Sequence, residues 1–307
     1  MAILASINFQ WVLLSATFLG IAAGMFGTLA YWKRQSLMSD ALSHAALPGV
    51  VIAFMIINEK NFFILILGAA LSALLGAWFI YVIRSSSRIK EDTAMGIILS
   101  VFFGAGIVLL TLVNRSGSGS QSGLDTFIFG QAASMVRLDV YTMVILATAI
   151  IVLITFAYKE WKLFLFDPEF ARGIGLSSRG MDIAYMIGLV TTIVIGIQAV
   201  GVILMAALLI IPAVSARYWT QSFKIMLLLS GIFGGLSGAI GTFLSAQGAG
   251  WPTGPFIVLS ASIFFVFSLF FGKEKGFIAE KMEFRAQQRQ ALSENEAPGV
   301  LKEGGHK

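Results

Sequence analysis

The chain has no cysteine and very little charge: only 12% of its 307 residues are Asp, Glu, Lys or Arg. The first absence excludes disulfides and thiolate metal ligands. The second excludes a water-soluble enzyme, in which about 25% of residues are charged. Histidine is scarce too, with only His44 and His306. The opening Met1 to Gln10 has neither the basic start nor the small-residue cleavage site of a secretory signal. A GxxxxGK[ST] phosphate-binding motif is missing, so the chain carries no ATP-driven motor of that kind. The net charge of +5 does not call for a nucleic-acid partner, because membrane proteins concentrate Lys and Arg in their inner loops.

What the chain has in abundance is apolar residues, 57% of the total. They recur in runs of about twenty, the length that crosses a bilayer as a helix. The expected fold class is all-α, a polytopic helical membrane protein. Nine apolar segments are read at 11–32, 43–57, 62–83, 94–113, 139–158, 183–199, 201–216, 225–244 and 255–271. The second, sixth and seventh are short for full spans and could be broken, tilted or re-entrant, so eight transmembrane helices is the alternative.

Basic residues set the orientation. With the N-terminus outside, all but Lys60, Arg115 and Arg137 of the 21 lysines and arginines fall in inner loops or the tail. The C-terminus is then cytoplasmic. Residues 1–272 form the membrane domain, and 273–307 form a charged cytoplasmic tail, partly disordered beyond Ser293. His306 is a solvated terminal residue. A Ser- and Gly-rich stretch, Asn114 to Gly123, is an outer loop, followed by a short interfacial element over Leu124–Gln131.

Three places carry more than hydrophobicity. The first is Ser39-Asp40-Ala41-Leu42-Ser43-His44-Ala45-Ala46-Leu47-Pro48-Gly49. On a helix, Asp40 and His44 share one face, and a carboxylate with an imidazole can hold a divalent cation. The plain alternative is that Asp40 caps a helix and His44 is packed. The second is Phe166 to Leu176, where Asp167 suits an N-cap, Pro168 the first helical position and Glu169 the first turn. Gly173 and Gly175 end that short helix, which is either a connector or a knob for a partner's groove. The third is a set of small residues, Gly20 with Gly24, Gly234 with Gly238, and Gly241, spaced for close helix approach. Within it, Gly235-Leu236-Ser237-Gly238 matches the GxSG of intramembrane serine proteases. The histidine such a protease needs on a later helix is absent, since only His306 follows, and Ser237 reads as a packing residue.

Asp40-Ala41-Leu42-Ser43-His44-Ala45 with Leu47-Pro48-Gly49 resembles the hallmark of the permease subunits of bacterial ABC importers for manganese, zinc or iron. Asp167-Pro168-Glu169-Phe170-Ala171 resembles their coupling segment. Gly201 to Leu204 leading to Ala207 through Ala213, then Ala216-Arg217, resembles a third signature. The similarity runs from about Trp11 to Phe271, and the tail lies outside it. It implies a type-II-like ABC importer permease in the bacterial plasma membrane, working by alternating access and not itself an enzyme. It also implies cytoplasmic ABC ATPase subunits, an extracellular metal-binding protein and a second permease copy, identical or not. Asp40 and His44 would be the metal ligands. Asp167, Pro168, Glu169, Phe170, Ala171, Arg172, Gly173 and Gly175 would form the ATPase-coupling segment. No cofactor is held permanently; the metal is cargo. Oxygen and imidazole ligands without cysteine argue against a zinc-selective cage and suit manganese or ferrous iron; manganese is put first. The alternatives are a cobalamin or siderophore permease, whose wide path needs no Asp40/His44 pair, and an ion-driven secondary transporter. The latter wants repeated halves and more buried carboxylates than Asp40 and the edge residue Asp182.

Overall fold

A computed structural model describes residues 7–57, 61–115, 130, 135, 137–248, 250–277 and 281. Among the described residues there are eleven helices and no strand. They are α1 (Ile7–Trp32), α2 (Ser36–Ile57), α3 (Phe62–Ser86), α4 (Glu91–Arg115), α5 (Arg137–Phe156) and α6 (Tyr158–Phe166). There follow α7 (Pro168–Gly173), α8 (Ser178–Val200), α9 (Val202–Arg217), α10 (Phe223–Ser245) and α11 (Thr253–Phe271). Eight are long and apolar enough to cross a membrane, and α9 is a shorter apolar helix of 16 residues. At 1.5 Å per residue α9 is about 24 Å long, less than the roughly 30 Å hydrocarbon core.

Two segments that look short in sequence are full-length helices. The second starts at Ser36 rather than at 43, and the sixth at Ser178 rather than at 183. Polar residues interrupt the apolar run at the head of α2, but they satisfy themselves inside the helix. Ser39 Oγ donates to the Ser36 carbonyl at 2.8 Å, and Ser43 Oγ to the Ser39 carbonyl at 2.7 Å. At the head of α8, Ser177 caps the helix by accepting from the Gly180 amide at 3.2 Å. The turn between α8 and α9 is a single residue, Gly201, whose φ of 95° is open to glycine and strained for other residues. The loop element expected over Leu124–Gln131 lies outside the described residues except for Gly130. The tail beyond Phe277 does too, except for Lys281.

The centre of the bundle is α1, 72% of whose membrane window is buried, against 22% for α4. Apolar side chains of α3, α4, α5 and α11 point outward, as lipid-facing positions do. α1 packs chiefly on α10, with α5 and α9 beside it, while α2 packs on α3 and α4. α9 bridges the two groups by touching α1, α2, α10 and α11.

Small residues make the α1–α10 contact possible. A Cβ on Gly20 would press into the Gly234 carbonyl, one on Gly234 into the Gly20 carbonyl, and one on Gly24 into the Ser230 carbonyl. Thr28 Oγ1 donates to Ser230 Oγ at 2.7 Å across the same seam. Ser237, the serine of the GxSG match, is buried and donates to the Phe233 carbonyl at 2.6 Å. It is a packing residue. Interhelical hydrogen bonds in membranes average about 0.6 kcal/mol, so a Thr28→Val/Ser230→Ala double-mutant cycle is expected to give a coupling of about that size. Unfolding in detergent measures it.

One end of the bundle gathers most of the polar contacts. Trp32 packs on Phe166 with ring centroids 4.7 Å apart, and Tyr158 stacks on Phe223 at 5.5 Å. Arg84 pairs with Glu91 at 3.1 Å, and the Glu274 amide donates to the Tyr218 carbonyl at 2.9 Å. These contacts bring the starts of α2, α4, α8 and α10 together with the ends of α1, α3, α5, α9 and α11, and with α6 and α7. The basic inner loops read from the sequence belong to this end.

Candidate metal path and coupling segment

α2 carries Asp40 and His44 one turn apart. His44 Nε2 lies 3.4 Å from Asp40 Oδ1, too long for a good hydrogen bond but close enough for both to reach one cation. The Asp40 side chain is 38% exposed and that of His44 12%. With the exposed Leu37 they form a single stripe on the helix. Asp40 is no cap: α2 begins four residues earlier, at Ser36. The His44 ring sets its edge on Phe103 of α4, with centroids 4.6 Å apart, and its buried Nδ1 has no hydrogen-bond partner.

The backbone at the pair is loosened by its own sequence. Pro48 sits inside α2 and has no N–H to give the His44 carbonyl four residues back. α3 braces this stretch: Ser72 Oγ donates to the Ala45 carbonyl at 2.6 Å, and Gly49 meets the Gly68 backbone so closely that neither tolerates a Cβ. By helix rise, Asp40 lies about 6 Å and His44 about 12 Å from the start of α2. Both are therefore in the half of the helix that begins at the polar end. Among the described residues, no three His, Cys, Asp or Glu side chains are grouped to hold a metal.

The segment from Asp167 to Gly175 folds as its residues predict. Asp167 Oδ1 accepts from the Phe170 amide at 3.0 Å, Pro168 opens α7, and Arg172 lies in its last turn. The Leu176 amide returns to the Ala171 carbonyl at 2.9 Å, and Gly175 takes a φ of 89° to turn the chain toward α8. Phe170 and Ile174 are exposed while Ala171 is buried. α7 thus stands out from the polar end as a capped, six-residue knob. Loss of such a cap costs about 1 kcal/mol, so Asp167→Ala is expected to speed amide exchange at Phe170 about fivefold. Hydrogen–deuterium exchange reads that change.

Residues 6–272 match the model of the ABC 3 transport family. The chain belongs to that family. Among relatives of this ABC 3 member, it is 45% identical over 287 residues to the manganese transport system membrane protein MntC of Bacillus subtilis (strain 168). That alignment takes in 94% of this chain and 66% of the relative, so the chain spans just under two thirds of that protein's length. It is 42% identical over 276 residues to the zinc transport system membrane protein TroC of Treponema pallidum (strain Nichols), covering 90% of this chain and 93% of that one. The solved structure described as PsaBC from Streptococcus pneumoniae in complex with Fab superposes with a TM-score of 0.79 at 31% identity. It covers 91% of this chain and 97% of the other. The fold is therefore that of an ABC permease, and this ABC 3 protein is a multi-pass membrane protein.

Sequence reasoning missed one group at the polar end. Lys33, in the turn after α1, places Nζ 2.7 Å from Asp182 Oδ1 of α8. It also lies over the Tyr185 ring, 4.0 Å from the centroid, and 5.1 Å from that of Phe164. Burial lowers the Lys33 pKa, against the upward pull of the hydrogen bond and charge of Asp182. Lys33 counted only as one inner positive charge in the sequence, and Asp182 as a segment edge. Nothing local could pair residues 149 positions apart.

Proposed function

We propose that this chain is the permease subunit of an importer that carries a divalent transition metal, manganese first, into the cytoplasm. The observation that carries the reading is the Asp40–His44 pair, 3.4 Å apart on a helix embedded in a membrane bundle. A carboxylate at the centre of a membrane helix costs about 2.5–3.5 kcal/mol on insertion scales, and Asp40, nearer the helix start, carries part of that penalty. Names of relatives support both manganese and zinc as cargo. The oxygen-plus-imidazole ligand set, without cysteine, suits manganese or ferrous iron at least as well as zinc.

Two copies of the permease fold face each other, the same chain or a relative, so that two Asp40/His44 pairs flank one path. Water completes the metal's shell, which keeps binding weak enough for release. The polar end is cytoplasmic, the N-terminus is outside, and the tail from Lys273 is cytoplasmic. ATPase subunits seat α7, with Asp167 through Gly175, in their grooves. An extracellular metal-binding protein delivers cargo at the other end. ATP binding moves the paired coupling helices and swings the metal site from outside to inside. The chain itself supplies no catalytic group.

The test is uptake of radioactive manganese by the complete importer in sealed vesicles, with and without internal ATP. Uptake that requires ATP and the ATPase, and that unlabelled zinc competes less well than manganese, is expected. Uptake that follows a proton gradient without the ATPase would replace this reading with a secondary transporter. Transport of cobalamin or a siderophore, but no free metal, would replace it with a wide-path permease.

A further inference from the structure

The contacts of Lys33 join the α7 segment to the head of the helix that carries Asp40 and His44. Only Lys33, Arg34 and Gln35 separate α1 from α2. This connection is tight: Arg34 takes a φ of 59°, and the Gln35 amide donates to the Ala30 carbonyl at 3.0 Å. It is held from two directions. Lys33 Nζ meets Asp182 of α8 at 2.7 Å and the rings of Tyr185 (α8) and Phe164 (α6) at 4.0 and 5.1 Å. Gln35 donates to Glu91 of α4, which also pairs with Arg84 of α3. The Lys33 side chain is only 16% exposed, whereas that of Asp182 is 54% exposed. An ammonium between two aromatic faces and a carboxylate has a geometry that a neutral or acidic side chain cannot reproduce.

Phe164 precedes α7 by one short step, and Asp182 and Tyr185 follow it on α8. Lys33 therefore touches the chain on both sides of the knob. Gln35 meanwhile leaves the head of α2 anchored to α3 and α4. We propose that Lys33 is a coupling residue: it clasps α6 and α8 so that displacement of α7 is passed to the head of α2 and so to the Asp40/His44 pair. It is a positioning residue and touches no metal. The inference rests on the importer reading above, in which α7 is the element that the ATPase moves.

This chain has no cysteine of its own to compete for label in the test. Leu37, exposed and one turn before Asp40, is replaced by cysteine in the complete importer. Its maleimide labelling rate is compared in nucleotide-free and vanadate-trapped states. This is done with Lys33 intact, in Lys33→Met, in Lys33→Arg and in Asp182→Asn, with ATP hydrolysis and manganese uptake measured alongside. The expected result is a nucleotide-dependent change in labelling with Lys33 intact that shrinks at least fivefold in Lys33→Met and is largely kept in Lys33→Arg. Uptake per ATP hydrolysed is expected to fall about tenfold in Lys33→Met, the range of ordinary allosteric coupling. Asp182→Asn leaves the ammonium in its aromatic cradle and keeps the test decisive if Lys33→Met fails to assemble; a several-fold loss of the labelling change is expected there too.

An equal labelling response in Lys33→Met, or in Asp182→Asn where Lys33→Met does not assemble, overturns the clasp. So does the lack of any response with Lys33 intact. Absent manganese uptake by the parent importer, with the labelling response present and lost in Lys33→Met, sinks the metal assignment and leaves the clasp standing.

Discussion

Gly234→Leu is expected to prevent stable folding of the chain. Gly20 and Gly234 lie where α1 and α10 cross, and each would drive a Cβ into the other's backbone carbonyl. A flexible side chain can swing away from an inserted methyl, but a carbonyl inside a helix cannot move without shifting the whole helix. Overpacking a core commonly costs about 1–3 kcal/mol, and a rigid obstacle puts the change at or above the top of that range. Because α1 is the most enclosed span, separating it from α10 also opens its contacts with α5 and α9. Size-exclusion and thermal unfolding of the detergent-solubilised protein should show aggregation or a large fall in melting temperature. Gly104→Ala is the matched control. A Cβ there meets nothing within 4 Å, and alanine is the better helix former by up to about 1 kcal/mol. Its melting temperature should hold or rise. A stable Gly234→Leu protein would mean that α1 and α10 do not cross at these glycines.

Asp40→Ala and His44→Ala are each expected to reduce ATP-driven manganese uptake at least tenfold while leaving assembly with the ATPase intact. On the proposed reading each variant removes one of the chain's two metal ligands, and even outer partners of metal ligands are worth 10–100-fold. The direction of the stability change helps to interpret the result. Alanine at 40 removes a charge that is costly to hold in a membrane helix, so Asp40→Ala protein should be at least as stable as its parent. His44→Ala withdraws a ring from the edge of Phe103 and should lose a little stability. His44→Phe keeps that packing without a ligand atom and should transport as poorly as His44→Ala. Uptake unchanged in Asp40→Ala and His44→Phe, with protein levels matched, would reduce the pair to a tolerated acid and a packed histidine. The path would then have to be sought elsewhere in the bundle.

The sequence by itself determined what is encoded over short distances. Apolar runs of bilayer length set the helical class, because a chain in hydrocarbon must satisfy its backbone internally. The spacing of Asp40 and His44 put them on one face. Asp167 followed by Pro168 began α7, and Gly175 turned the chain out of it. The small-residue pairs marked positions of close approach, though not which helix approached which. Where local reading fell short, a distant partner or the helix itself supplied what hydrophobicity did not show. The head of α2 was hidden because Ser36, Ser39, Asp40 and Ser43 break the apolar pattern, yet Ser39 and Ser43 bond back to their own helix.

The tertiary structure alone decided four things. It matched Gly20 to Gly234, set Phe103 against His44, brought Ser72 to the loosened turn before Pro48, and closed Lys33 onto Asp182 and Tyr185. Each joins residues far apart in the chain that no local pattern pairs with one another. Their encounter depends on how whole helices pack, and packing is settled by the summed shape of all the faces rather than by any one stretch of chain.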